Sequence, residues 1–259
     1  MDLIKTNNEK TPAALIMAAV QREIAEVQAS MMLAKQMPRD VNKALERIMV
    51  TCQRESLAEV AIYTYARGGT NIQGASIRLA EAIAQQWGNM NYGIKELEQR
   101  EGESTVEAFA WDLETNTKQS KIFQVKHERH TKNGVTKLTD PRDIYEHVAN
   151  NGARRLRACI LGVIPGDIVE SAVNQCQITL TTQGKVTPEK IKNMLAKFAE
   201  LGVTEEMIKT RIQRKPEAIT AAQMASLGQI YNSIKDEMSK AADWFDIKPQ
   251  SAAVPETED

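Results

Sequence analysis

The sequence holds only three cysteines, Cys52, Cys159 and Cys176, an odd number scattered far apart along 259 residues. Such a set argues against a disulfide framework and points to a reducing, cytoplasmic compartment. Apolar runs are short: none approaches the roughly 18 residues that span a bilayer, so no membrane partner is expected. The opening residues MDLIKTNNEKTPAAL lack the basic flank and apolar core of a secretory signal. Aromatic residues are few, at 5%. An excess of one charge is also missing, since the net charge is −1.

That near-neutral total conceals a local imbalance. Residues 116–160 carry 10 Lys and Arg against 4 Asp and Glu, a block of +6 inside a chain that is otherwise −7. Its basic members are Lys118, Lys121, Lys126, Arg129, Lys132, Lys137, Arg142, Arg154, Arg155 and Arg157. A local excess of this kind binds phosphate while the whole chain stays near neutral. A solvated basic surface without a partner has the same composition.

Periodicity and punctuation give an α+β order. Residues 12–36 read as a helix, with Pro12 in the first turn and Leu15, Ile16, Ala19, Val20, Ile24 and Val27 at helical spacing. A second helix is expected from about Asp40 to Glu55, capped by Asp40. Val60 to Ala66 is β-branched and aromatic and reads as a strand, followed by a second short strand at Asn71 to Ser76. Ile77 to Trp87 returns to helical spacing. Three strands are expected over Asn91–Gln99, Thr105–Leu113 and Lys118–Lys126, and their short links favour an antiparallel meander. Glu128–Thr139 is expected to be a loop or an irregular hairpin. Helices are then expected from Pro141 to Val163 and from Asp167 to Gln177.

The fold expected is therefore an antiparallel β-meander packed with helices, followed by a small C-terminal helical bundle. Residues 1–177 would form the core, 178–186 a linker, 187–247 a helical partner-binding module, and 248–259 a disordered tail.

The helix from Pro141 carries the most chemistry. At 100° per residue, Ile144, Val148, Gly152, Leu156, Cys159 and Val163 share one arc, and His147, Asn150, Asn151, Arg154 and Arg157 share the opposite one, with Arg155 at the boundary. No carboxylate falls among those five, and planar guanidinium forks suit phosphate. The same pattern fits an ordinary amphipathic helix whose arginines meet solvent, Glu146 or Asp143. Phe109 and Trp111 share parity in one strand, so core packing is the simpler role for both. Tyr65, beside Arg67 at a strand end, is a more open candidate for stacking on bases.

Three other chemistries fail on residue type. The stretch Gly69-Thr-Asn-Ile-Gln-Gly74-Ala75-Ser76 nearly spells a phosphate-binding loop, but Ala75 stands where the lysine is required. Its glycines are read as turn residues, and no nucleotide cofactor is expected. His127, His130 and His147 have no paired cysteines to complete a metal site, so solvent exposure or phosphate contact is the simpler role. Asp112, Glu114 and Lys118 lack the spacing of a common nuclease core. No nucleophile–base pair supports an enzyme.

The order of elements carries a resemblance. Ala61-Ile-Tyr-Thr-Tyr-Ala-Arg67 and Gly74-Ala-Ser-Ile-Arg-Leu-Ala-Glu-Ala-Ile83 precede the three-strand meander, and Asn151-Gly-Ala-Arg-Arg-Leu-Arg-Ala-Cys-Ile-Leu-Gly162 follows it. Over roughly residues 40–175 this resembles the phage single-strand annealing proteins of the Red-beta and RecT type. It is also similar to the eukaryotic annealing mediator, where a helix with a Gly-x-basic-basic run follows such a meander.

The resemblance implies ATP-independent annealing of single-stranded DNA by a homo-oligomeric ring or helical filament, with phosphates held and bases exposed, and with an annealed duplex intermediate. Arg154 and Arg155 match the family's basic pair, Arg157 continues the stripe, and Arg67 lies near a position where relatives carry a basic residue. Lys118, Lys121, Lys126, Arg129 and Lys132 are candidates by charge and location alone. The C-terminal module resembles the small domain by which some relatives contact an exonuclease or the host single-strand-binding protein. A scaffold whose basic surface meets an acidic protein is the alternative, with a metal-dependent nuclease behind it.

Overall fold

Asp40, Ser76, Asp140, Thr187, Thr204 and Thr220 each turn a side-chain oxygen onto the first free amides of a helix, so the polar residues before the apolar runs set where helices begin. A computed structural model describes residues 12–67, 70–131, 134–182, 186–236 and 238–247. The expected tail therefore lies outside the described residues. The elements are α1 (Pro12–Gln36), α2 (Val41–Cys52), α3 (Glu55–Ala61), β1 (Ile62–Arg67), β2 (Thr70–Ala75), α4 (Ile77–Trp87), β3 (Met90–Arg100), β4 (Glu103–Asp112) and β5 (Thr117–Lys126), then β6 (Glu128–Thr131), β7 (Gly134–Lys137), α5 (Pro141–Val163), α6 (Gly166–Thr182), α7 (Pro188–Glu200), α8 (Glu205–Ile212) and α9 (Ala221–Lys235). This is a mixed α+β fold.

Each sheet is antiparallel. β1 pairs with β2, β6 with β7, and β3, β4 and β5 lie side by side in sequence order. β4 alternates strictly: Ser104, Val106, Ala108, Ala110 and Asp112 are buried, and the residues between them are half-buried. The buried row faces α5, and α2, α4 and α6 complete the core through Ile48, Cys52, Leu79, Ile83, Trp87 and Cys176. A second core gathers Met194, Phe198, Ile208, Leu227 and Ile230 from the C-terminal helices, with Phe245 from the segment that follows them. No helix among the described residues is long and apolar enough to cross a membrane.

Several boundaries differ from the sequence reading, among them the helix expected to reach Glu55, which ends at Cys52. The strand expected from Val60 begins at Ile62, because Glu55–Ala61 forms a short helix. Nothing caps it through a side chain; burial of Ala58 and Ala61 holds it in place. The linker expected at 178–186 starts as helix, since α6 runs to Thr182. Thr179 is fully buried with its hydroxyl near the carbonyls of Gln175 and Cys52, at 2.9 and 3.0 Å. Thr181 and Thr182 bond back to carbonyls one turn earlier. Packing and these bonds override the weak helix propensity of β-branched residues.

The C-terminal helices meet the core through a polar knot. Gln229 of α9, 4% exposed, accepts from Thr64 Oγ1 at 3.0 Å and Gln73 Nε2 at 3.1 Å, and donates to Gln177 Oε1 at 2.6 Å.

Candidate nucleic-acid interface

Helix α5 lies close against the sheet because Gly152 has no side chain: a Cβ there would sit 2.7 Å from Ile94 Cδ1. Val148, Gly152, Leu156, Cys159 and Ile160 are buried, and the Cys159 thiol donates to the Ala108 carbonyl at 3.4 Å. This seating turns the predicted polar arc outward. His147, Asn151 and Arg155 form a ladder along it. Asn151 Nδ2 donates to the His147 carbonyl at 3.0 Å, and Arg155 Nη1 donates to the Asn151 carbonyl at 3.2 Å. Asn150 is exposed and Arg154 half-buried between the two shoulders of the arc.

Both shoulders are arginines mounted on rings. The Arg155 guanidinium lies 4.7 Å over Phe123 of β5, and that of Arg157 lies 4.6 Å over Tyr63 of β1. Tyr63 in turn stacks on Tyr65, with centroids 5.9 Å apart and planes at 24°. Arg157 Nη2 also contacts Met238 Sδ at 3.7 Å. Burial, with repulsion from Arg154 second, pulls the Arg155 pKa below the ordinary arginine value. Burial pushes the Tyr63 phenol up, against the opposing pull of Arg157. Neither Arg155 nor Arg157 has a carboxylate within 4 Å among the described residues.

Gly74 explains how Tyr63 reaches its place. The two residues are paired across β1 and β2, and a Cβ on Gly74 would fall 2.5 Å from the Tyr63 hydroxyl and 2.6 Å from its Cζ. The turn role read from the sequence is thus corrected: Gly74 is a strand residue that clears room for a ring.

The remaining predicted cations are dispersed. Lys121 shares the α5 side of β5 with Phe123 and is exposed. Lys118 and Lys126 alternate onto the opposite sheet face. There Lys118 lies 5.9 Å over Phe109 and 5.4 Å over Trp111, and Lys95 lies 5.5 Å over Phe109 while pairing with Glu23 of α1. Core packing for Phe109 and Trp111 is therefore overturned. The buried row of β4 is the even-numbered one, filled by small residues under α5, and both rings stand half-buried on the other face. Arg129 is exposed in the β6–β7 hairpin. Arg67 closes the β1–β2 ladder opposite Thr70; its side chain, and Lys132 altogether, lie outside the described residues.

His127 also departs from expectation. It is 5% exposed, with Nε2 2.8 Å from Ser104 Oγ. The residue sits where β5 ends, and the neighbouring polar sequence hid its burial. Among the described residues no three His, Cys, Asp or Glu side chains are grouped to hold a metal ion. The roles of Tyr63 and Phe123 as arginine platforms were not visible in the sequence. Each is an aromatic in a strand, but only the placement of α5 between β1 and β5 pairs it with a guanidinium.

No protein-family model, no curated protein and no solved structure matches this chain.

Proposed function

We propose that the chain binds single-stranded DNA along the outward arc of α5 and anneals complementary strands without nucleotide hydrolysis. The observation that carries this reading is the pair of ring-mounted arginines, Arg155 and Arg157, flanking Asn150, Asn151, His147 and Arg154. Their guanidinium planes are fixed in advance by the rings beneath, so little side-chain freedom is lost when phosphate arrives. Arg155 is partly desolvated and repelled by Arg154, with no carboxylate paired to Arg155 among the described residues, and an anionic backbone supplies a partner. Contacts to phosphate alone leave bases free to find partners, which is what annealing requires.

On this reading β3, β4 and β5 are the meander of the annealing proteins, α5 is their basic helix, and α7–α9 form a small bundle that meets an exonuclease or a single-strand-binding protein. The active species is a homo-oligomer, and the reaction needs neither metal nor nucleotide. Lys121 extends the strand path; Lys118, Lys126 and Arg129 lie off it.

The test is annealing of complementary oligonucleotides without ATP, followed by fluorescence transfer. The native chain is expected to accelerate annealing, and R154A/R155A/R157A, folded by circular dichroism, is expected to lose at least about 90% of that acceleration, as loss of three phosphate contacts implies. Undiminished annealing by the triple variant sinks the proposal.

A further inference from the structure

Helix α1 carries an apolar seam that the rest of the chain covers only in part. Its residues recur alternately four and three apart. Met17, Ile24 and Met31 hold one position of a heptad, and Ala13, Val20, Val27 and Ala34 hold the other. Gln21, Glu23, Gln28 and Ser30 border the seam. A sustained repeat of this kind is the pattern of a helix that pairs with another helix along its length.

The C-terminal half of the seam is seated on its own chain: Val27 and Met31 are half-buried and Ala34 is buried. The N-terminal half is not. Met17, Val20 and Ile24 are 65, 49 and 47% exposed, and Ile16 beside them is 63% exposed. Glu23 pairs with Lys95 of β3, but from Arg22 back to Ala13 no side chain bonds to another element among the described residues. A helical stretch of about 12 residues is marginal in water without a packed face, and residues 13–24 are exposed throughout.

The uncovered stretch is complementary to itself. Two copies can be set antiparallel about a two-fold axis midway between Ala18 and Ala19. Ile24 of one copy then lies level with Ala13 of the other, and Met17 with Val20. Each layer pairs a larger side chain with a smaller one. The two Glu23 carboxylates stand about 13 Å apart along the axis, so each keeps its own Lys95. The folded bodies, attached at the C-terminal ends of the two helices, leave in opposite directions. A parallel pair would bring both bodies to one end, where each seam is already covered.

We propose that residues 13–24 of α1 pair antiparallel with the same residues of a second copy. The contact closes at two copies, so it joins two chains or two larger assemblies and is separate from the repeating contact of a ring or filament. It does not rest on DNA binding. The overlap is about 18 Å of helix, a smaller contact than the ~800 Å² per partner of a standard interface. Pairing is therefore weak and concentration-dependent.

Analytical ultracentrifugation of the full chain over a concentration series tests it. The native chain is expected to reach about twice the mass of V20E, whose carboxylates enter both central layers. V20E is expected to keep the native melting temperature, since Val20 is exposed, and the native affinity for oligonucleotides, since Val20 lies outside the α5 arc. Leu15→Glu, on the same exposed stretch but off the seam, is expected to keep the native mass. Disulfide trapping reads the register, because Cys52, Cys159 and Cys176 are buried. Mixed A13C and I24C chains are expected to link to each other, and I24C alone to stay unlinked. A native chain with the mass of V20E at every concentration overturns the proposal. So does a dimer that survives V20E, or an I24C chain that links to itself, which would make the pair parallel.

Discussion

Gly152 of α5 and Ile94 of β3 touch so closely that a Cβ on the glycine would lie 2.7 Å from Ile94 Cδ1 and 3.0 Å from Cγ2. The contact sets how deep α5 sits, and so where its outer arc points. Gly152→Val should cost about 1–3 kcal/mol by overpacking. In an Ile94→Ala background the same change should cost little, because the obstructing atoms are gone. A double-mutant cycle by urea unfolding measures the coupling; equal costs in both backgrounds would deny that Ile94 sets the seat.

A second clamp lies at the junction before α2. Arg39 donates to Asp112 through two nitrogens, at 2.6 and 3.0 Å, and to the Gly88 carbonyl at 2.9 Å, with its guanidinium 4.5 Å over Trp87. Both side chains are almost fully buried, at 6% and 2% exposure. Arg39→Ala should cost about 3–5 kcal/mol, since it strands a buried carboxylate. Burial pushes the Asp112 carboxyl up, but the Arg39 bonds and the Thr115 and Glu114 amides outweigh it and hold its pKa below the usual range. A depressed folded pKa gives stability that is full above about pH 4, the unfolded value, and lost as pH falls through the folded one. The stability gap between the native chain and Asp112→Asn should therefore narrow below pH 4, as urea titrations at pH 7, 4 and 3 would show.

What was legible in the sequence followed from local chemistry. Capping residues and helical spacing located α4, α5 and the start of α2 within a residue or two, because the forces that start a helix act within one turn. The outward arc of α5 was readable for the same reason. The end of α2 was not: it falls at Cys52, three residues short of the expected Glu55. What was hidden depended on distant partners. Cys52 and Cys176 are remote in sequence, yet α2 and α6 bring both into one buried core. The parity of Phe109 and Trp111 was clear, but which face is buried was decided by α5 packing on Ala108 and Ala110. The helical end of α6 likewise rests on the burial of Thr179 and Leu180.

The polar knot at Gln229 offers a test of how the C-terminal helices are fastened. Its amide serves Thr64, Gln73 and Gln177 at once, so Gln229→Leu leaves several groups without a partner. The expected cost is about 1–3 kcal/mol. Adding Thr64→Val removes one stranded hydroxyl and should recover part of that loss. Thermal unfolding of the single and double variants decides it: strictly additive losses would show that Thr64 and Gln229 are not coupled.

The longest chain of dependence runs from Gly74 through Tyr63 to Arg157. Gly74 clears space for the Tyr63 ring, and the ring carries the guanidinium. If Arg157 grips phosphate from that seat, Gly74→Val should weaken single-strand binding although residue 74 touches no DNA, by about three- to tenfold for loss of a cation–π seat. Tyr63→Phe keeps the ring and should bind nearly as the native chain does, while Tyr63→Leu should behave like Gly74→Val. Salt dependence separates a lost contact from general damage. Each phosphate contact removed lowers the slope of log K against log salt by about 0.7 for a single strand. Arg157→Ala, Tyr63→Leu and Gly74→Val should share one reduced slope, since all three disable the same contact. If Gly74→Val weakens binding at an unchanged slope, the hairpin acts on DNA by another route and Tyr63 is not the mount for Arg157.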